Sequence, residues 1–139
     1  MPARVLVVND DPDILEVVAR ALESAGHAVS RCPDHDAAVG AVGVSAPDIV
    51  VIDLPGSGAG VGLLESLRTR PEATVRDTRV LVIGSGPANA TAAWQAGADG
   101  FLVRPFHARE LAAQVDDIVA RPDLARATHR ATQLAALAH

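Results

Sequence analysis

The sequence predicts an α/β domain, a doubly wound parallel sheet of five strands with helices on both faces. Two patterns carry that reading. Short apolar runs alternate with amphipathic segments along most of the chain. The runs are rich in β-branched residues and apolar on consecutive positions, as strands covered on both faces must be. Such alternation calls for right-handed βαβ crossovers. At 139 residues the chain is the size of one domain. A domain of this length buries roughly 68–70% of its unfolded surface and needs no staple. Apolar residues make up 49% and charged residues 21%, which excludes wholesale disorder. The one cysteine excludes a disulfide framework. No apolar run approaches the roughly 18 residues of a membrane span, and residues 1–9 are too short and end too acidic for a signal peptide. A soluble, cytoplasmic domain is expected. The net charge of −5 argues against direct nucleic-acid binding. All 12 basic residues are arginine, so no mechanism can use a lysine ammonium.

The elements follow in order. Arg4-Val-Leu-Val-Val8 is the first strand. Asp11-Pro12-Asp13 starts a helix, with acidic residues and proline in its first turn. Ile14, Leu15, Val18, Ala21, Leu22 and Ala25 continue it at helical spacing, and Gly26 stops it. A short strand over 28–32 and a weak helix over 34–44, interrupted by Gly40 and Gly43, come next. Ile49-Val-Val-Ile52 is a buried strand ending at Asp53. Residues 55–62 read as a loop with four glycines, 63–70 as a helix and 79–83 as a strand. Gly84-Ser85-Gly86-Pro87 is a turn, 88–96 a helix closed by Gly97, and 101–103 the last strand, followed by Arg104-Pro105. Residues 108–120 form a helix with Leu111, Val115, Ile118 and Val119 on one stripe. Pro122 breaks that helix. The chain therefore divides into a domain over 1–121 and a helical extension or linker over 122–139.

In an open parallel sheet, ligands bind beyond the carboxyl ends of the strands, where strand order reverses. Polar residues gather at those ends: Asn9, Asp10 and Asp11 after the first strand, Asp53 after the third, Gly84 and Ser85 after the fourth, Arg104 after the fifth. If strands one and three are neighbours, Asp10 or Asp11 meets Asp53. Two carboxylates in a cleft repel unless a cation lies between them, and a hard divalent ion such as Mg²⁺ suits oxygen ligands. A free carboxylate oxygen there can attack phosphorus, with a cation from the fifth strand neutralising charge. Asp10 or Asp11 could instead simply cap the next helix. The glycine-rich stretch 56–62 fits no nucleotide-loop register and lacks the lysine of a Walker loop.

Taken together, Val5-Leu-Val-Val-Asn-Asp-Asp-Pro-Asp-Ile14, Pro47-Asp-Ile-Val-Val-Ile-Asp-Leu54, Ala96-Gly-Ala-Asp-Gly-Phe101 and Leu102-Val-Arg-Pro-Phe106 resemble the receiver domains of two-component response regulators, over about residues 3–121. The resemblance implies a flavodoxin-like fold with strand order 2-1-3-4-5. It implies that Asp53 is the phosphoacceptor for a histidine kinase or phosphotransfer partner. It implies Mg²⁺ on Asp10, Asp53 and the backbone carbonyl of Pro55, with Asp11 at a further acidic position. Arg104 matches the family's lysine before a cis-proline, and the two side chains differ in shape: a long planar fork against a compact point charge. The switch hydroxyl of the family falls at Gly84, with Ser85 as substitute, and the switch aromatic at Phe101. Asn9 stands where the family has its first acid. Pro55 lies two residues after Asp53 rather than four, and the segments after Asp53 and after Gly84 are about one and two residues short.

The expected function is phosphorelay signalling by a receiver that is not a turnover enzyme, with phosphorylation reshaping a protein-interaction face. A homodimer through the fourth-helix, fifth-helix face is a further expectation, with Trp94 as its anchor or as core packing. The alternative is a pseudo-receiver, a phosphorylation-independent interaction or dimerisation module. Asn9, Gly84, Arg104 and the shortened loop motivate it.

Overall fold

Alternate residues of each central strand face opposite layers of the molecule, which is why the strands read as unbroken apolar runs. In a computed structural model of the chain, describing residues 2–53 and 59–138, the strands are β1 (Arg4–Val8), β2 (Ala28–Cys32), β3 (Ile49–Ile52), β4 (Arg79–Gly84) and β5 (Gly100–Val103). They form one parallel sheet in the order β2-β1-β3-β4-β5. The helices are α1 (Pro12–Ser24), α2 (Ala38–Ser45), α3 (Ala59–Arg68), α4 (Ala73–Arg76), α5 (Pro87–Gln95), α6 (Ala108–Ala120) and α7 (Asp123–Leu137). Leu6, Val8, Val50, Ile52, Val80 and Val82 pack toward α2, α3 and α5. Their sequence neighbours Val5, Val7, Ile49, Val51, Leu81 and Ile83 pack toward α1 and α6. All four residues of β3 are fully buried, as the central strand of a covered sheet should be.

Local chemistry sets the boundaries. The Asp11 carboxylate accepts from the backbone N–H groups of Asp13 (2.9 Å) and Ile14 (3.3 Å), capping α1 with Pro12 in its first turn. Gly26 and Gly97 take φ of +97° and +100° just past α1 and α5, left-handed turns that suit glycine. A short 3₁₀ turn (His35–Ala37), capped by Asp34, precedes α2.

The structure differs from the sequence reading in several places, and β4 runs on through Gly84, the first residue of the expected turn. Residues 59–62, read as loop, are the first turn of α3. A Cβ at Gly60 would lie 3.3 Å from Ile52 Cγ2, so glycine there lets the helix start press against β3. The four-residue α4 has no counterpart in the reading, because one helical turn is too short to show a period. Strand β5 begins at Gly100, one residue earlier than read. The chain turns at Pro122, and α7 folds back onto α5.

Candidate functional site

Strand order reverses at β1, so the carboxyl ends of β1 and β3 frame a cleft. Val8 and Ile52 are register partners, and the Asp53 N–H donates to the Val8 carbonyl (2.9 Å). That places Asn9 and Asp53 side by side after the last paired residues. Asp53 is 1% exposed. Its Oδ1 is ion-paired with the Arg104 guanidinium, which comes from the far side of β4. Reaching across one strand end suits the length of arginine. The Arg104 N–H donates to the Gly84 carbonyl (3.0 Å), and the peptide bond to Pro105 is cis. Burial lowers the guanidinium pKa from its ordinary value.

Between these two groups lies Gly84. A Cβ built there would meet Phe101 Cζ at 2.7 Å and Cε1 at 2.9 Å, and Asn89 Cβ at 3.2 Å. The Phe101 ring therefore fills the space that a side chain at position 84 would need. Ser85 is exposed, and its hydroxyl donates to Asn89 Oδ1 (3.2 Å).

The acidic residues after β1 take three different roles. The Asp11 carboxylate is the helix cap, so it is occupied away from the cleft. Asp10 is turned toward the end of β2. Its Oδ2 lies 2.9 Å from His35 Nδ1, and its Oδ1 accepts the His35 N–H (3.2 Å). Contact with Asp10 raises the His35 pKa. Asp34, His35 and Asp36 each offer a ligand atom within 4.8 Å of one another on that exposed rim. Asn9 is 1% exposed. Its Oδ1 accepts the Asp11 N–H (2.8 Å), while its Nδ2 has no hydrogen-bond partner among the described residues.

Of the sequence-derived site residues, then, Asp53 and Arg104 are brought together, and Gly84 and Phe101 are in contact beside them. Asp10, Asp11 and Ser85 are engaged with His35, the α1 start and Asn89. Pro55 lies outside the described residues. Sequence reasoning missed His35. Strand order gave the available signal, since β2 borders β1 and its exit must lie beside residue 10. Trp94 is buried, edge-on to His129 of α7 with ring centroids 5.7 Å apart, and is part of a packed interface.

Residues 5–116 match the sequence profile of the response regulator receiver domain. Among curated proteins, the phosphate regulon transcriptional regulatory protein PhoB of Escherichia coli is 30% identical over 125 residues, covering 87% of this chain and 53% of PhoB. The transcriptional regulatory protein PrrA of Mycobacterium tuberculosis is 35% identical over 121 residues, covering 85% of this chain and 50% of PrrA. The chain thus spans about half the length of these relatives. Among solved structures, a putative response regulator from Chloroflexus aurantiacus superposes with a TM-score of 0.77 at 29% identity, covering 87% of this chain and all of that one. The chemotaxis response regulator CheY4 of Vibrio cholerae shares the fold, with a TM-score of 0.73 at 23% identity, covering 85% of this chain and 99% of CheY4. The sheet order β2-β1-β3-β4-β5 with a buried aspartate at its reversal point is the arrangement of a receiver. The chain belongs to the response regulator receiver domain family.

Proposed function

We propose that the chain works in a phosphorelay as the acceptor, with Asp53 taking a phosphoryl group from the phosphohistidine of a kinase or phosphotransfer protein. The observation that carries this reading is the buried Asp53 carboxylate with Arg104 as its one cation and no saturating set of donors among the described residues. A carboxylate oxygen of Asp53 attacks phosphorus, the O–P bond forms and the N–P bond of the donor imidazole breaks. The departing imidazole nitrogen keeps the bond's electron pair. Arg104 pairs with the Asp53 carboxylate before transfer and with phosphoryl oxygens after it.

The family binds Mg²⁺ at an acidic pocket. Here the donor chemistry fits through Asp10 and Asp53, carboxylates at adjacent strand ends; the resemblance adds the backbone carbonyl of Pro55, which lies outside the described residues. Among the described residues Asp10 is held by a half-exposed histidine, a contact that a divalent cation can outcompete. The Asn9 Nδ2 is a donor and cannot ligate. When bound, Mg²⁺ supplies charge neutralisation for the transferring group. Phosphorylation adds about −1.5 to −2 charge beside Arg104 and so biases β5 and its neighbours. With Gly84 lacking a hydroxyl, the response runs through Arg104 and the Phe101 ring, with Ser85 as the nearest hydroxyl in sequence. We place the domain in the cytoplasm as a signalling protein rather than a turnover enzyme, acting on protein partners and not directly on nucleic acid. No helix among the described residues is long and apolar enough to cross a membrane.

The test is intact-mass spectrometry after incubation with acetyl phosphate and Mg²⁺. Wild type should gain one phosphoryl mass and Asp53→Asn none. No gain on wild type, or an equal gain on both, refutes phosphoryl acceptance and leaves the interaction-module reading.

A further inference from the structure

The C-terminal helix is attached differently from every other long helix. Helix α6 buries Leu111, Val115 and Ile118, and α1 buries Leu15, Val18, Ala19 and Leu22. Helix α7 has no buried residue among those described. Its apolar share of the contact is Leu134, partly buried against the cluster that holds Trp94, together with the His129 edge on that indole. Polar contacts supply the rest of the attachment. Arg126 grips both oxygens of Asp99 (Nε–Oδ1 2.7 Å, Nη2–Oδ2 3.0 Å) and donates to the Asp77 carbonyl (2.8 Å). One turn on, Arg130 donates to the carbonyls of Ala98 (2.9 Å) and Gly97 (3.0 Å). Asp123 at the helix start accepts from Arg79 (2.8 Å).

The domain satisfies some of these acceptors without α7. The Asp99 Oδ2 takes the Val80 N–H (2.9 Å) and Arg68 Nη2 (3.1 Å), and Gly97 O takes Arg68 Nη2 (2.7 Å). Removing α7 therefore leaves Asp99 paired through Oδ2 with Arg68 and bonded to the Val80 N–H. Asp99 Oδ1 and the carbonyls of Asp77 and Ala98 lose the Arg126 and Arg130 donors and turn to water with the released guanidiniums. The apolar part of what it uncovers is Trp94 and the adjoining α5 surface. The junction suits such a movement, because Arg121 and Pro122 are extended between two helices.

We propose that α7 is a latch on α5, one that undocks as a unit about the Arg121–Pro122 junction while the sheet stays folded, so that it covers and uncovers the Trp94 face. The latch does not depend on phosphoryl transfer. Local opening of this kind belongs to segments with few buried apolar contacts.

Native-state hydrogen exchange on the full chain tests it. Amides of α7 should exchange at least about tenfold faster than those of β1 and β3. In Arg126→Ala/Arg130→Ala, α7 exchange should rise about tenfold further and acrylamide should quench Trp94 more strongly. Sheet protection should stay within about twofold of wild type, and Arg109→Ala, on exposed α6, should change none of these. If α7 and the sheet exchange together in wild type, or if Trp94 stays equally shielded in the double variant, the latch is refuted. Wild-type exchange decides the matter even if the double variant does not fold.

Discussion

Two buried aspartates sit at opposite ends of the sheet, and their surroundings differ. Asp99, before β5, is held by Arg126 in a bidentate pair, by Arg68 and by the Val80 N–H, with Arg130 3.6 Å away. Burial works against its charge, but Arg126 and its other partners outweigh that and keep its pKa below the usual carboxylate value. Burial, with Arg126 and Arg130 nearby adding to it, brings Arg68 down to about 10 against the pull of Asp99. Asp53, equally inaccessible, has Arg104 as its one ion-pair partner among the described residues. A buried carboxylate with every lone pair taken is inert and structural. One left short of partners keeps an oxygen for chemistry. Burial alone does not separate the two; coordination does.

Asp99→Ala tests the structural end and carries the largest expected effect. It leaves Arg68 and Arg126 facing an empty site and should destabilise by about 3–5 kcal/mol in urea unfolding. Asp53→Asn removes a charge whose partner is one-third exposed and can turn to water, and it should stay within about 1 kcal/mol of wild type in the same measurement. Equal losses at the two positions would erase the contrast. Next in size is Gly84→Thr, which forces the Phe101 ring out of its place and should cost about 1–3 kcal/mol. Phe101→Leu should recover part of that cost, and a double-mutant cycle reads the coupling.

Asn9→Asp sharpens the chemical end. Adding a carboxylate beside Asp53 should tighten Mg²⁺ binding about tenfold by calorimetry, near 1.4 kcal/mol. The smallest effect concerns pH. Burial, then Arg121, depress the His129 pKa below its ordinary 6.5, so the unfolded chain binds the proton more readily. Its contribution is full above about pH 6.5 and is lost as pH falls through the lowered value. Arg130 adds to that depression and Asp99 opposes it. Replacing His129 with Gln should flatten the stability profile in that acid window.

The architecture was legible because unbroken apolar runs at βα spacing admit few alternatives. The start of α3 was hidden by Gly60 and Gly62, residues that read as loop until their closeness to β3 is known. At the site, Asp53 and Arg104 were legible as strand-end polar residues. The turn of Asp10 toward His35 was not, since it depends on which strand borders β1. The Asp99 cluster was equally illegible: its partners come from positions 68, 80, 126 and 130, with no spacing that a sequence pattern could register.

Strand β5 is only four residues long, with Asp99 directly before it and Arg104 directly after. Backbone of that kind does not stretch, so the two anchorages are the ends of one tie-rod roughly 16 Å long at about 3.3 Å per residue. Inserting or deleting a single residue within 100–103 would move one end off its aspartate pairing and swing Phe101 to the opposite side of the sheet. This stretch therefore cannot change its length without breaking one of the two pairings.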